Sequence, residues 1–310
     1  MQLKSFNLNL IQSSLLSASL LTVPMASMAA EYMPFMQGTT QVGASLQSAI
    51  ESTQTSLKAN GFDIVGSYSP SSNTQVIVVT NSALKSMAGL SENGGFGAME
   101  RIAVVQKGAD VDISYTNPGY MWNVYRMKGD IQPIQSSMKT ALGAQQEYGA
   151  DEPISDKELR EYHYKMMMPY FDDEDELAEF DSHESALKSV EAGLTAHMAD
   201  SSKVYRIDIP GKKMSVFGVA LKYKEASDQF ISEAIDKKGM THSAHFPYEI
   251  LVVDGEVMAL NGKFRIAVNW PHLSMMGEGS FMSIAGAPDN ITEALKAVAN
   301  NKKIEVESDF

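Results

Sequence analysis

The sequence predicts an α+β fold of two similar domains, each an antiparallel sheet covered by helices. Three observations point there. Apolar runs such as "VIVV" at 76–79 have strand length and are bounded by turns rich in Ser, Pro, Gly and Asn. Other segments have helical periodicity and end signals. The same order of segments recurs in the two halves of the 310-residue chain.

The first thirty residues, "MQLKSFNLNLIQSSLLSASLLTVPMASMAA", read as a secretory signal peptide (1–30). Lys4 supplies the positive start, 8–23 a modest apolar stretch, and Ser27, Ala29 and Ala30 the small residues before cleavage. Asn and Ser interrupt this stretch, so it lacks the ~20 apolar residues of a membrane span. Later apolar runs are strand-sized, and the mature chain is expected to be soluble, with no membrane insertion after signal removal. The chain has no cysteine, which excludes a lipoprotein anchor, disulfides, thiolate metal sites and thiol catalysis. An exported chain without disulfides suits a bacterial periplasm. Removing Lys4 from the 25 basic residues leaves 24 against 38 acidic ones, a net charge of −14. Such a field repels phosphate backbones and anionic head groups, so nucleic acid is not an expected partner.

The first repeat is assigned to 31–146 and the second to 181–303, with a linker at 147–180 and a tail at 304–310. "YMPFM" (32–36) pairs with "MMPYF" (167–171), each ahead of a helix. The first helix carries Leu46, Ile50 and Leu57 on one stripe and ends at Gly61. The second has Leu187, Val190 and Leu194, with Asp181 and Glu184 as a capping box. Strand pairs follow at 62–81 and 203–223, then short helices at "SALKSMAG" and "EASDQFISEAID". Two-strand units come next, at 101–121 and 249–276; the latter includes "FRIAVNWPHLSMM", taken as a β-type run. This register sets Arg101 opposite Glu249. Each copy closes with a strand-like piece and a helix, the last one with Asn290 and Glu293 as a capping box.

The unit resembles the family catalogued as domain of unknown function number 302. The residues that carry the likeness are "SLKANGFDIV" (56–65), "VIVVTNSAL" (76–84) and "RIAVVQKGADVDISYTNP" (101–118). The second copy departs from it at "ADSSKVYRI" (199–207), where Gly-Phe is missing. The resemblance implies a small α+β domain with an antiparallel sheet covered by helices, and no established activity or catalytic residues.

Between the copies, Ser155 and Glu158 form a capping box for a helix near 155–166. The acidic run "DDEDE" (172–176) lacks the residue order of a calcium loop and reads as a solvated helix start. Twenty methionines beside no cysteine draw attention to thioether chemistry. His272, Met275 and Met276 have helical spacing and are candidate copper ligands, echoed by His163 with Met166, Met167 and Met168. Methionine also fills irregular core gaps, so no cofactor is the first reading and copper the alternative. His242 and His245 are expected in a surface loop, since Pro247 disfavours a helix there.

Tyr120, Met121, Trp122, Trp270 and Pro271 are candidate binding residues, because clustered aromatics with methionine suit an apolar ligand or partner protein. The same tryptophans can instead close the core. The chain has no nucleophile elbow, Walker loop or dinucleotide fingerprint. The expected function is an exported noncatalytic binding protein using the cleft between two duplicated domains. Its partner would be a small apolar ligand or a periplasmic protein. The alternatives are a periplasmic copper-binding protein and an enzyme of unrecognised class.

Overall fold

A computed structural model describes residues 30–236 and 241–304. The signal-peptide expectation (1–30) and the tail (304–310) therefore fall almost wholly outside the described residues. Among the described residues no helix is long and apolar enough to cross a membrane. The protein is α+β, with helices and antiparallel sheets.

The first unit opens with β1 (Glu31–Tyr32) and β2 (Phe35–Gln37). Helix α1 (Leu46–Ala59) follows, its N-terminus closed by Ser45, whose hydroxyl accepts from the Ser48 amide. Gly61, at φ +83°, turns the chain into the next strand, a conformation that glycine adopts without strain. Then come β3 (Asp63–Ser71), β4 (Thr74–Thr80), α2 (Ser82–Ala88), β5 (Glu100–Lys107), β6 (Asp110–Thr116), α3 (Pro118–Val124), α4 (Gln132–Leu142) and β7 (Gln146–Tyr148). The connecting segment holds β8 (Ile154–Ser155), which pairs with β1, and the short α5 (Asp156–Arg160). Its Ser155–Glu158 capping box forms as expected, but the helix ends at Arg160, not near 166.

The second unit runs β9 (Asp175–Glu179), α6 (His183–Thr195), β10 (Ser202–Asp208), β11 (Met214–Ala220), α7 (Asp228–Ile235), β12 (Tyr248–Val253), β13 (Glu256–Ala259), α8 (Gly262–Ala267) and α9 (Ala287–Ala299). Its sheet has the order β10-β11-β12-β13-β9, and the first has β3-β4-β5-β6-β2-β7. The two orders correspond position by position, with β7 added at one edge.

Several local expectations are corrected. The second unit's edge strand is 175–179, so part of the acidic run is strand where a solvated helix start was expected, and the structural partner of β2 lies there and not at "MMPYF". Ser182, with Ser185, caps α6 in place of Asp181 with Glu184. The run at 264–268 is not a strand: Asn261 accepts from the Lys263 amide and starts α8. A short apolar run is ambiguous between strand and helix, and here the cap decides. The pieces ahead of the closing helices are turns and helix, not strands. Asn290 and Glu293 lie inside α9, where they bind the Glu225 amide and the Tyr223 hydroxyl. The β5–β6 and β12–β13 turns align Lys107 with Val253, which sets Ala103, not Arg101, opposite Glu249.

Both faces of each sheet are covered. Helices α1 and α4 lie on one face of the first sheet, and α6 and α9 on one face of the second. Along the second sheet, Phe217, Val219, Ile250 and Val252 face α6 and α9, while Tyr205, Val216, Leu251 and Met258 join the first unit's core. Strands buried on both sides read as continuous apolar runs, which explains "VIVV" and "MSVFGVA". The contact between units is reciprocal. The turn before β5 (94–97) packs on β11 and β12, and the equivalent turn before β12 (243–245) packs on β4, β5 and β6. At the middle β3 meets β10, where a Cβ on Gly66 would lie 2.2 Å from the Val204 carbonyl oxygen.

Gly66→Ala is therefore expected to lower the unfolding free energy in urea by about 1–3 kcal/mol. The exposed neighbour change Ser67→Ala should stay within about 0.5 kcal/mol of wild type.

Candidate functional site

The space between the two sheets is filled by a buried ionic cluster. Glu249, on β12, receives Arg101 from β5 and Arg265 from α8, and all three side chains are almost fully enclosed. Arg265 Nε donates to Glu249 Oε2 at 3.0 Å, and Arg101 Nη1 donates to Oε1. The remaining donors are spread over backbone: Arg101 Nε reaches the Ala244 oxygen, and Arg265 reaches His245 and Pro247 oxygens. Arg265 Nη1 lies 2.7 Å from His245 Nδ1, which leaves His245 Nε2 to donate to the Tyr248 hydroxyl. Burial, then Arg265 and Arg101, hold the His245 pKa well below its usual value, so this ring is neutral. Tyr68 of β3 adds a further tie across the units by donating to Asp228 Oδ2 at 2.8 Å.

The aromatic candidates lie in this packed interior, not around an open groove. Tyr120, Met121, Trp122 and Trp270 are buried and Pro271 is half-buried. The first three belong to the first unit's core and Trp270 to the second's, so they do not share a site. His272, Met275 and Met276 are exposed on an irregular loop, without the helical geometry their spacing suggests. His163 packs against the Tyr170 ring, and Met166 and Met167 stand in solvent. His242 and His245, expected on the surface, are both buried. Among the described residues no group of three or more His, Cys, Asp or Glu is placed to hold a metal ion.

Open volume lies elsewhere. A cavity of about 660 Å³ sits where α5 and the following segment pass over the first unit, in the size range of small-molecule sites. Arg126, Lys128, Lys157 and Arg160 line it together with Glu92, Glu161, Asp172 and Glu174. The two arginines are fixed. Arg126 holds a left-handed backbone at φ 49°, donates to the Arg160 oxygen and Asp172, and lies over the Phe171 ring. Arg160 donates to Asn123 Oδ1 and the Met127 oxygen. The hydrogen bond from Arg126 holds the Asp172 carboxyl below its usual pKa. Lys128 and Lys157 are exposed and have no carboxylate partner within ion-pair distance among the described residues. Glu174 takes the Asn93 amide on Oε1, while its Oε2 is buried without a partner. The lining thus offers two uncommitted cations. Its residues come from four separated stretches with no motif, so sequence reasoning did not find it. It also missed the Asp236–His242 pair, in which Oδ1 lies 2.6 Å from Nδ1.

Glu249→Gln is expected to cost about 3–5 kcal/mol in chemical denaturation, because it leaves two buried guanidiniums without their carboxylate. A pH dependence also follows. Burial drives Glu100 up to about 7 and Asp228 up to about 8, each against a hydroxyl hydrogen bond that favours the charged form. Unfolded carboxylates titrate near 4. Above that pH the folded chain keeps protons that the unfolded chain has lost, so these groups make stability fall as pH rises from about 4 to about 8. Asp228→Asn should flatten that slope in denaturation measured across the range. No protein-family model, no curated protein and no solved structure matches the chain.

Proposed function

We propose that this chain is an exported, noncatalytic binding protein that captures a small polar solute in the cavity beneath α5. The observation that carries this reading is the cavity of about 660 Å³ lined by two pinned arginines and two uncommitted lysines, Lys128 and Lys157. Such a lining favours a molecule with an anionic group, carboxylate or phosphate, over the apolar ligand expected from the aromatic residues. The net charge of −14 opposes anion capture at long range, so selectivity falls to the local cations. Export to a periplasm rests on the character of residues 1–30 and on the absence of cysteine. Duplication of one ancestral unit is supported by the matching strand orders and the reciprocal turns. The resemblance to the domain family of unknown function is part of the same proposal.

The test is a thermal-shift and calorimetric screen of the mature chain against amino acids, dicarboxylates and phosphate esters. At least one class should raise the unfolding temperature. Lys128→Ala and Lys157→Ala should each weaken that ligand about tenfold, the scale of one charged hydrogen bond. Binding confined to uncharged apolar compounds and indifferent to both lysines would refute the reading.

A further inference from the structure

The methionines divide by position. Met87, Met138 and Met258 belong to the core and are buried. Five others stand in water: Met166, Met167, Met275, Met276 and Met282, with exposures from 42% at Met275 to 94% at Met167. Among the described residues every exposed methionine falls on two segments outside the strands and α-helices, 163–170 and 272–284. The two segments are fastened together. The Tyr164 hydroxyl donates to the Leu273 oxygen, and the Tyr164 and Phe281 ring centroids lie 5.2 Å apart. Within the second segment the Met282 amide donates to the Met275 oxygen at 3.3 Å. Met167 holds a left-handed backbone at φ 67°, which glycine would adopt without strain. A side chain in water contributes no packing, so core filling does not account for methionine at these places.

What such a side chain offers to solvent is its sulfur. The chain has no cysteine, so thioethers are its only sulfur nucleophiles. We infer that segments 163–170 and 272–284 form a joined surface that reduces neutral hydroperoxides, each exposed methionine taking up one oxygen atom as the sulfoxide. In each event the Sδ lone pair attacks one peroxide oxygen, and the S–O bond forms as the O–O bond breaks. With hydrogen peroxide the leaving hydroxide takes the proton of the transferred oxygen and departs as water. Sulfur gives up two electrons and the peroxide gains them. The net charge of −14 repels anionic oxidants and leaves a neutral one free to approach. The same reaction at Met87, Met138 or Met258 would set a polar oxygen among apolar side chains and disrupt the core. On the exposed segments the added oxygen stays in water, and methionine sulfoxide reductases can return it to thioether. The surface thus consumes oxidant before it reaches the methionines that hold the sheets.

The experiment treats the mature full chain with hydrogen peroxide, one equivalent for each of the five exposed methionines, and maps sulfoxide by peptide mass spectrometry. Oxygen should appear at Met166, Met167, Met275, Met276 and Met282 about tenfold faster than at Met87, Met138 and Met258, because reactivity follows exposure. The unfolding temperature should not change. Methionine sulfoxide reductases acting on the folded chain should return all five to thioether. A variant carrying Met166→Leu, Met167→Leu, Met275→Leu, Met276→Leu and Met282→Leu should unfold at the same temperature and consume peroxide several-fold more slowly. Under the same limiting peroxide it should carry more sulfoxide at the three buried positions than the wild type does. Equal rates at exposed and buried methionines, or a lower unfolding temperature once the five are oxidised, overturn the inference. So do equal peroxide consumption by the variant and sulfoxides that the reductases leave in place.

Discussion

The carboxylate of Glu249 between the guanidiniums of Arg101 and Arg265 is the constraint on which the arrangement of the two units depends. Three charges in a dry interior are tolerable only when their donors and acceptors are satisfied together. Meeting that condition here requires β5 from one unit, β12 and α8 from the other, and the 243–247 turn whose carbonyl oxygens take the spare donors. An apolar core could supply as much stability, whereas any slip of one sheet past the other would strand a buried charge. The reciprocal turns and the close approach at Gly66 follow from the same fixed placement.

A filled centre leaves open volume to the periphery. The space between the two sheets is taken by the ionic cluster and by apolar side chains from both, and beside it a cavity of about 320 Å³ is lined from both units, by Pro70 and Thr74 and by Gln229 and Ser232. Open volume includes the cavity beneath α5 on one side and a histidine-lined cavity beside α7 on another. Both are built where the connecting segment or a loop crosses a finished sheet-and-helix layer. Loops positioned by a rigid scaffold often carry function for this reason.

Much of the fold was legible in the sequence. The strands at 63–71, 74–80, 202–208 and 214–220 show as apolar runs between turn residues, and α1 is marked by its stripe and by Gly61. The run 264–268 was misread because Phe264, Ile266 and Val268 alternate as a strand would, while the deciding signal was the single side chain of Asn261. Helix caps shifted for a similar reason: Asn290 and Glu293 look like a capping box but are recruited by the turn around Tyr223. The site residues were the least legible. Arg126 and Phe171, or Tyr164 and Phe281, are far apart in sequence and meet only through tertiary packing.

The sequence by itself determined the α+β class of the fold, several of its strands and helices and the exclusion of thiol chemistry, since periodicity, caps and composition are local properties. The tertiary structure decided which polar residues are buried, how the two sheets close on each other and where open volume remains. Those outcomes depend on which distant side chains share a low-dielectric interior, and neither spacing nor residue type encodes that neighbourhood.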